Sequence, residues 1–498
     1  MERKASKNGD PEAVIEKTST LDMNGSERHL RLEGFVHDKT HRRLKNRHIQ
    51  LIGIGGTVGT ALFVQIGSSL TKGGPGILDS AEMVTWIPIS SPFVRFADHF
   101  VDPALGFCAG YNFFALQAAL VPFEVVAFNL VLQFWTKSEF WLSIGKVILA
   151  VGVMVFTFVT MVGGNPLHDK YGFRNWDPSK VPGAPFAEYI KTGSLGRFLG
   201  FLACLIQASF TIAGPDYVAM SAGEAELPRR NMPRAFYSVF YRLTAFFVIG
   251  SLCIGIVVPY SDPDLLSALS NARPGAGSSP YVIAMEKLQI KVLPHIVNAL
   301  ILTAVFSAGN SYVYCASRTL LGLALEGKAP KFLTRCTAHG VPIYCVGVTL
   351  AIALSSFLQV SNNAAVVLQW FVNLVTASQL INYAIISFTY IRFYEALKAQ
   401  GISRGSLPHK GSWQPFCGYY GLIGTLTMAF VGGYTVFLPG RWDVPNFLFS
   451  YAMIGIVPTL FLFWKFMHKT EWRHPKTITF LEEERKEVDH YEATYGSR

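Results

Sequence analysis

Asp216 stands inside an apolar stretch, directly after a Gly-Pro pair, in SFTIAGPDYVAMSAGEAELPRR (residues 209–230). Proline removes a backbone hydrogen bond, and an acid among apolar residues is costly unless something uses it. A second stretch is built as awkwardly. GIGGTVGTALF (residues 53–63) lies in an apolar run yet carries Gly53, Gly55, Gly56 and Gly59 together with Thr57 and Thr60. Each glycine costs a helix interior about 1 kcal/mol relative to alanine. Unwinding at that point would free backbone N–H groups, and N–H groups at a half-helix N-terminus hold an anion. Irregular backbone at membrane depth survives only where it lines a cavity. The plainer alternatives stay open: the glycines could be a close-packing face between helices, and Asp216 a satisfied group in a proline kink.

Two more ionisable residues sit in apolar surroundings, Glu124 in ALVPFEVVAFN and Lys146 in LSIGKVILAVGV. A buried lysine that can lose and regain a proton is what proton coupling requires. Lys146 could instead snorkel towards the nearby polar TKSE. Asn112, Gln207 and Asn310 read as hydrogen-bonding glue between helices.

The elements that must position these groups follow from composition. Half of the 498 residues are hydrophobic and 15% are charged, against about 25% charged in an ordinary soluble domain. The charges crowd into residues 1–48 and 466–498 and into short islands. Between them lie ten apolar spans, at about 50–71, 104–135, 139–162, 197–222, 236–260, 292–325, 341–359, 364–393, 419–438 and 446–467. Runs of that length are membrane helices, so the chain reads as an all-α polytopic membrane protein. It divides into a cytosolic N-terminal tail (1–48), a transmembrane domain (49–467) and a cytosolic C-terminal tail (468–498), whose EEERKE run reads as a solvated helix.

The net charge of +10 is not that of a nucleic-acid binder. Its basic residues fall in alternate loops: Arg229, Arg230, Arg234 and Arg242; Lys328, Lys331 and Arg335; Arg392, Lys398, Arg404 and Lys410. That alternation follows the positive-inside rule, places those loops in the cytosol and puts both termini inside. The seven cysteines show neither a disulfide framework nor metal-ligand spacing. An embedded enzyme would need a catalytic constellation within the spans, and His295 has no evident partner. No cofactor is expected beyond a coupling proton, and the oligomeric state is open.

From about residue 48 to 470 the chain resembles the fungal amino-acid permeases of the amino acid–polyamine–organocation superfamily. The resemblance is carried by GIGGTVGTALFVQIGSSLTKGGPG, EMVTWIPISSPFVRFADHFVDPALGF, FTIAGPDYVAMSAGEAELPRRNMPRAF and FSAGNSYVYCASRTLLGLALEGKAP. AGYNFFALQAALVPFEVVAFN and GGNPLHDKYGFRNW look most like the dicarboxylic branch, which takes Glu and Asp and often neutral amino acids. The resemblance implies an inverted-repeat fold whose first and sixth helices break at mid-membrane. It places the substrate carboxylate on the amides of Gly55, Gly56, Thr57, Val58 and Gly59, and the substrate ammonium on carbonyls of Phe210, Thr211, Ile212, Ala213 and Gly214. Asp216 stands where the family commonly has Glu; Glu124 matches the third-helix acid near the pocket, and Lys146 the fifth-helix lysine that replaces a sodium ion in related proton-coupled members.

The family has twelve helices and this chain ten. Only ILDS stands between GGPG and AEMV where a second helix belongs, and QFWTKSEFWLSIGK joins the third helix directly to the fifth. Losing two helices preserves parity overall, but 104–135 must then insert inverted, or 72–103 must cross as a poor re-entrant stretch. The expected activity is proton-coupled amino-acid import at the plasma membrane. A sensor that binds without transporting, or an inactive shortened variant, are the alternatives.

Overall fold

The computed structural model describes residues 49–50, 80–89, 91–127, 137–182, 186–211, 215–271, 279–337, 341–360, 364–411, 413–480 and 482–495, which all belong to one unit, Val36–Arg498. Two short helices, α1 (Ser80–Trp86) and α2 (Pro92–Phe100), precede the long ones. Then follow α3 (Pro103–Ala127), α4 (Lys137–Met161), α5 (Gly193–Thr211), α6 (Pro215–Met220), α7 (Pro228–Val257), α8 (Pro263–Asn271), α9 (Pro280–Lys287) and α10 (Leu293–Leu325). α11 (Ile343–Ala353), α12 (Ala364–Ala399), α13 (Phe416–Val431), α14 (Val444–His468) and α15 (Glu482–Tyr495) complete the chain.

Seven spans among the described residues are long and apolar enough to cross a membrane, α5 and α6 together making one of them. α13, and α11 with its 3₁₀ continuation Leu354–Val360, are shorter apolar helices. Nine of the ten expected spans thus have a helical counterpart; the first, 50–71, lies outside the described residues but for Gln50.

Burial sorts these helices. In the most apolar window of each span, 83% of the residues of α12 and 78% of those of α3 are buried, against 17% for α14. α3 and α12 are therefore central and α14 peripheral. α4 shows how sequence decides which face turns in. Lys146, Leu149, Ala150, Val153, Phe156, Thr157 and Thr160 are buried, while Ile148, Val151, Val155, Phe158 and Val159 are exposed. Both sets repeat at three and four residues, the helical period. The exposed set is wholly apolar, as a lipid-facing stripe must be.

Close approach fixes the corner between α2 and α3. A Cβ on Gly106 would lie 2.6 Å from Asp98 Cβ and 2.9 Å from its Cα and backbone nitrogen, so only glycine lets these backbones meet. The corner is tied to the end of α10 by charge. Lys328, 8% exposed, donates to Asp98 and, at 2.9 Å, to Glu326. Burial works against the Lys328 ammonium, yet the Glu326 and Asp98 carboxylates outweigh it and hold its pKa above the ordinary lysine value. Removing one member of such a buried pair strands the others, so Lys328→Met is expected to cost about 3–5 kcal/mol, read as a lower Tm of the full chain in detergent. The contribution of Lys328 is complete below the ordinary lysine value of about 10.4 and fades only as pH climbs through its higher folded value.

Helix direction follows from the contacts. Tyr111 of α3 donates to the carbonyl of Lys328 beyond the end of α10, and Glu124, a dozen residues later, packs against Gly309 in its middle. α3 therefore runs antiparallel to α10. At the opposite face, Gly172 N–H bonds the carbonyl of Met161, Asn175 bonds the carbonyl of Ile256, and Tyr281 of α9 bonds Gly250. The ends of α4 and α7 thus meet near the start of α10, which makes α4 antiparallel to α10 as well. α3 and α4 are consecutive and parallel. The inverted insertion of 104–135 is not adopted, because α3 keeps the direction that packs Gly110 on Leu323 and bonds Tyr111 to the carbonyl of Lys328 at the end of α10.

The three basic islands share one face. Arg229 pairs with Asp489, Lys328 with Asp98, and Arg392 donates to the carbonyl of Arg473, all within one layer of contacts. Arg242 departs from its island: it lies well inside α7, half-buried, with Nε on the carbonyl of Ser238.

Candidate substrate site at the α5–α6 junction

α5 is described to Thr211 and α6 from Pro215, whose missing N–H suits a first helical position. Ile212, Ala213 and Gly214, together with Gly55, Gly56, Thr57, Val58 and Gly59, lie outside the described residues. What surrounds the junction is well defined. Asp216 is 1% exposed, and its Oδ2 accepts from Tyr383 Oη at 3.2 Å and from Gln379 Nε2 at 3.4 Å. Gln379 and Tyr383 are one helical turn apart on α12 and also bond each other at 2.5 Å. The second carboxylate oxygen, Oδ1, has no hydrogen-bond partner among the described residues.

The neighbouring Tyr217 completes the frame. Its hydroxyl donates to Gln117 Oε1 of α3 at 3.4 Å, and its ring lies 6.0 Å from that of Tyr312 on α10. Phe210, at the end of α5, meets Phe123 of α3 edge-on with ring centroids 5.5 Å apart. Thr211 is buried, its hydroxyl turned onto the carbonyl of Ala208. Glu124, 3% exposed, packs beside Gly309 of α10. Helices α3, α6, α10 and α12 therefore converge on Asp216 and Tyr217, with Phe123, Phe210, Tyr217, Tyr312 and Tyr383 in one apolar cluster. Inside such a cluster a carboxylate interacts far more strongly with a polar ligand than it would in water.

Lys146 is brought inward but into different company. It is 1% exposed, so it does not snorkel, and the residues a turn beyond it, Leu149 and Ala150, belong to a second cluster with α7 and α10. Among the polar candidates, Asn112 is glue as expected, its Nδ2 donating 3.0 Å to the carbonyl of Ser378. Gln207 lines a cavity of about 270 Å³ with Gln369, Asn373, Thr376 and Asn446 between α5, α12 and α14. Asn310 is exposed.

Sequence reading missed Gln117, Tyr217, Gln379 and Tyr383. The signal was available in part, since Gln379 and Tyr383 stand four apart within an apolar span and therefore share a face. Nothing local says that this face meets Asp216.

The amino acid permease family profile matches residues 48–138 and 136–477. The chain belongs to the amino acid permease family. Its relatives include the general amino acid permease AGP2 of Saccharomyces cerevisiae, 46% identical over 89% of this chain and 83% of the relative. A proline-specific permease of Emericella nidulans is 36% identical over 89% and 88% of the two chains. The dicarboxylic amino acid permease of Saccharomyces cerevisiae is 32% identical over 87% and 78%. The dicarboxylic branch is thus not singled out from the wider family. An amino-acid permease is a membrane transporter and not an enzyme, and the helices converging on Asp216 are spans of its transmembrane domain.

Proposed function

We propose that this permease is a proton-coupled importer of amino acids at the plasma membrane, with its basic face in the cytosol and both tails (1–48 and 468–498) inside. The observation that carries the reading is the buried Asp216 carboxylate at the α5–α6 junction, held through one oxygen by α12 and left with the other unengaged among the described residues. A substrate ammonium would meet Oδ1 and the carbonyls of Phe210, Thr211, Ile212, Ala213 and Gly214. Its carboxylate would meet the amides of Gly55, Gly56, Thr57, Val58 and Gly59. Glu124 lines the same pocket, and Lys146 carries the coupling proton. The single basic face supports the orientation by the positive-inside rule.

Substrate breadth is supported by the relatives, whose names run from general to proline-specific to dicarboxylic. An acidic substrate needs a buried cation for its side chain. Among the described residues the buried lysines are Lys146 and Lys328, and the second is committed to Asp98 and Glu326. Lys146 lies beside a different cluster from the one around Asp216, which favours neutral amino acids.

The parallel course of α3 and α4 supports the loss of two helices relative to the family. Consecutive spans running the same way need a return between them, and nine residues, 128–136, stand there. The family match is interrupted at the same place. The alignment to the general permease runs over 497 residues yet covers 89% of this chain, an excess of about fifty positions or two membrane helices. Uptake of labelled amino acids in a permease-deficient host, with competition by a full panel, tests the proposal. Saturable uptake that collapses with the proton gradient is the expected result. Binding without uptake would make the chain a sensor, and neither would make it an inactive shortened variant.

A further inference from the structure

The segment after α14 is not a loose tail. Arg473 N–H donates 2.9 Å to the carbonyl of Val101 beside α2, and Arg392 of α12 donates to the carbonyl of Arg473. Gln400, just past the end of α12, donates to the carbonyls of Pro475 at 3.0 Å and Ile478 at 2.7 Å, and His99 of α2 bonds Thr479. Ile478 and Phe480 are each 4% exposed, while the alternating Thr477 and Thr479 face out. The Phe480 ring closes an aromatic box with Trp86 of α1 at 5.0 Å, Phe393 of α12 at 6.1 Å and Phe100 of α2 at 6.2 Å.

α15 continues the attachment on another element. Val488 is buried, Asp489 pairs with Arg229, and Glu492 Oε1 accepts the Arg229 N–H at 3.0 Å. That last bond caps the first turn of α7, where orphan N–H groups and the helix dipole favour a carboxylate. Arg485 lies over the Trp86 ring at 5.6 Å.

These contacts bridge the two elements that hold the candidate site. α12 presents Gln379 and Tyr383 to Asp216 at mid-helix, and Phe393 to the C-terminal segment about 15 Å further along. Asp216 sits on α6, which leads straight into α7 and Arg229. The segment is fastened to both α12 and the α6–α7 corner, so a parting of the two on the basic face would have to undo those contacts. We propose that residues 470–480 and 482–495 form a latch on the basic face: seated, it holds α12 against the α6–α7 corner; released, it frees the path from the site to that side. The seating rests on the contacts alone, and the gating rests on the transport reading.

Phe480→Ala in the full chain tests both. Limited trypsin cleavage at Arg485 and Lys486 of the purified protein reads seating, and efflux of labelled amino acid from reconstituted vesicles reads gating. Phe480→Ala is expected to speed cleavage tenfold to a hundredfold and to accelerate efflux, while Phe480→Leu, which keeps most of the apolar burial, stays within a few-fold of the unsubstituted chain. Should Phe480→Ala fail to fold, Arg229→Glu is expected to speed cleavage and added Asp489→Arg to restore protection. Cleavage unchanged within twofold in both Phe480→Ala and Arg229→Glu overturns the latch. Faster cleavage with unaltered efflux overturns its gating role. An unsubstituted chain without any flux overturns the transport reading instead, and the cleavage assay still decides whether the segment is seated.

Discussion

Asp216→Asn lowers amino-acid uptake by about a hundredfold while the protein still reaches the membrane. Asparagine keeps the shape of aspartate and can turn its amide oxygen to the Tyr383 hydroxyl and the Gln379 amide, so the tie between α6 and α12 survives. What disappears is the charge and the second acceptor, Oδ1, in a site that is 1% exposed. A hydrogen bond to a buried charged group contributes about 1.5–3 kcal/mol, and the upper end of that range is a factor of about a hundred. Tyr383→Phe separates holding from binding. It removes one donor from Oδ2 and leaves Oδ1 untouched, so it is expected to cost about tenfold in uptake. Uptake by Asp216→Asn within threefold of the unsubstituted chain, at equal surface level, would show that this carboxylate does not meet the substrate.

Lys146→Met abolishes uphill accumulation but spares exchange of internal for external substrate. Methionine replaces the buried aliphatic stem with one of similar volume, so the packing of α4 against α7 and α10 is largely kept. Lys146→Ala would add a cavity cost of about 2–5 kcal/mol and confuse stability with mechanism. The face that carries Lys146 turns inward because the opposite stripe of Ile148, Val151, Val155, Phe158 and Val159 is wholly apolar and exposed. An ammonium held there cannot exchange with bulk solvent unless the transporter changes state, which is the requirement for a coupling group. Accumulation ratios at a fixed pH gradient, beside exchange rates at zero gradient, give the two readouts. PH-dependent accumulation that persists in Lys146→Met would remove Lys146 from the coupling step.

Much of this was legible beforehand. Span positions are a property of local composition, since any stretch of about twenty apolar residues must leave water. The nine spans with described counterparts accordingly appear where hydropathy puts them, with ends displaced by up to eight residues. The inward orientation of Lys146 is legible in the same way, from a stripe with helical period. Gly214 and Pro215 mark a place where a helix is hard to continue, and Asp216 stands out as a carboxylate where a carboxylate is expensive.

The partners of those groups were not legible. Gln379 and Tyr383 share a face on α12, yet which helix that face meets depends on how the spans pack, over separations of more than 160 residues from Asp216. Phe480 gave no signal at all. One aromatic and one isoleucine among polar residues are too short a pattern to read, and the box of Trp86, Phe100 and Phe393 that receives the ring is assembled from three distant elements. Glu482 and Lys486 of the charged EEERKE run are exposed as composition demands, while Val488, directly after it, is buried by contacts that composition cannot anticipate. Sequence alone determined what each segment must do with respect to water, because that balance is set residue by residue along the chain. Tertiary structure decided which segments meet, because a meeting is settled by the complementarity of two surfaces that are nowhere adjacent in the chain.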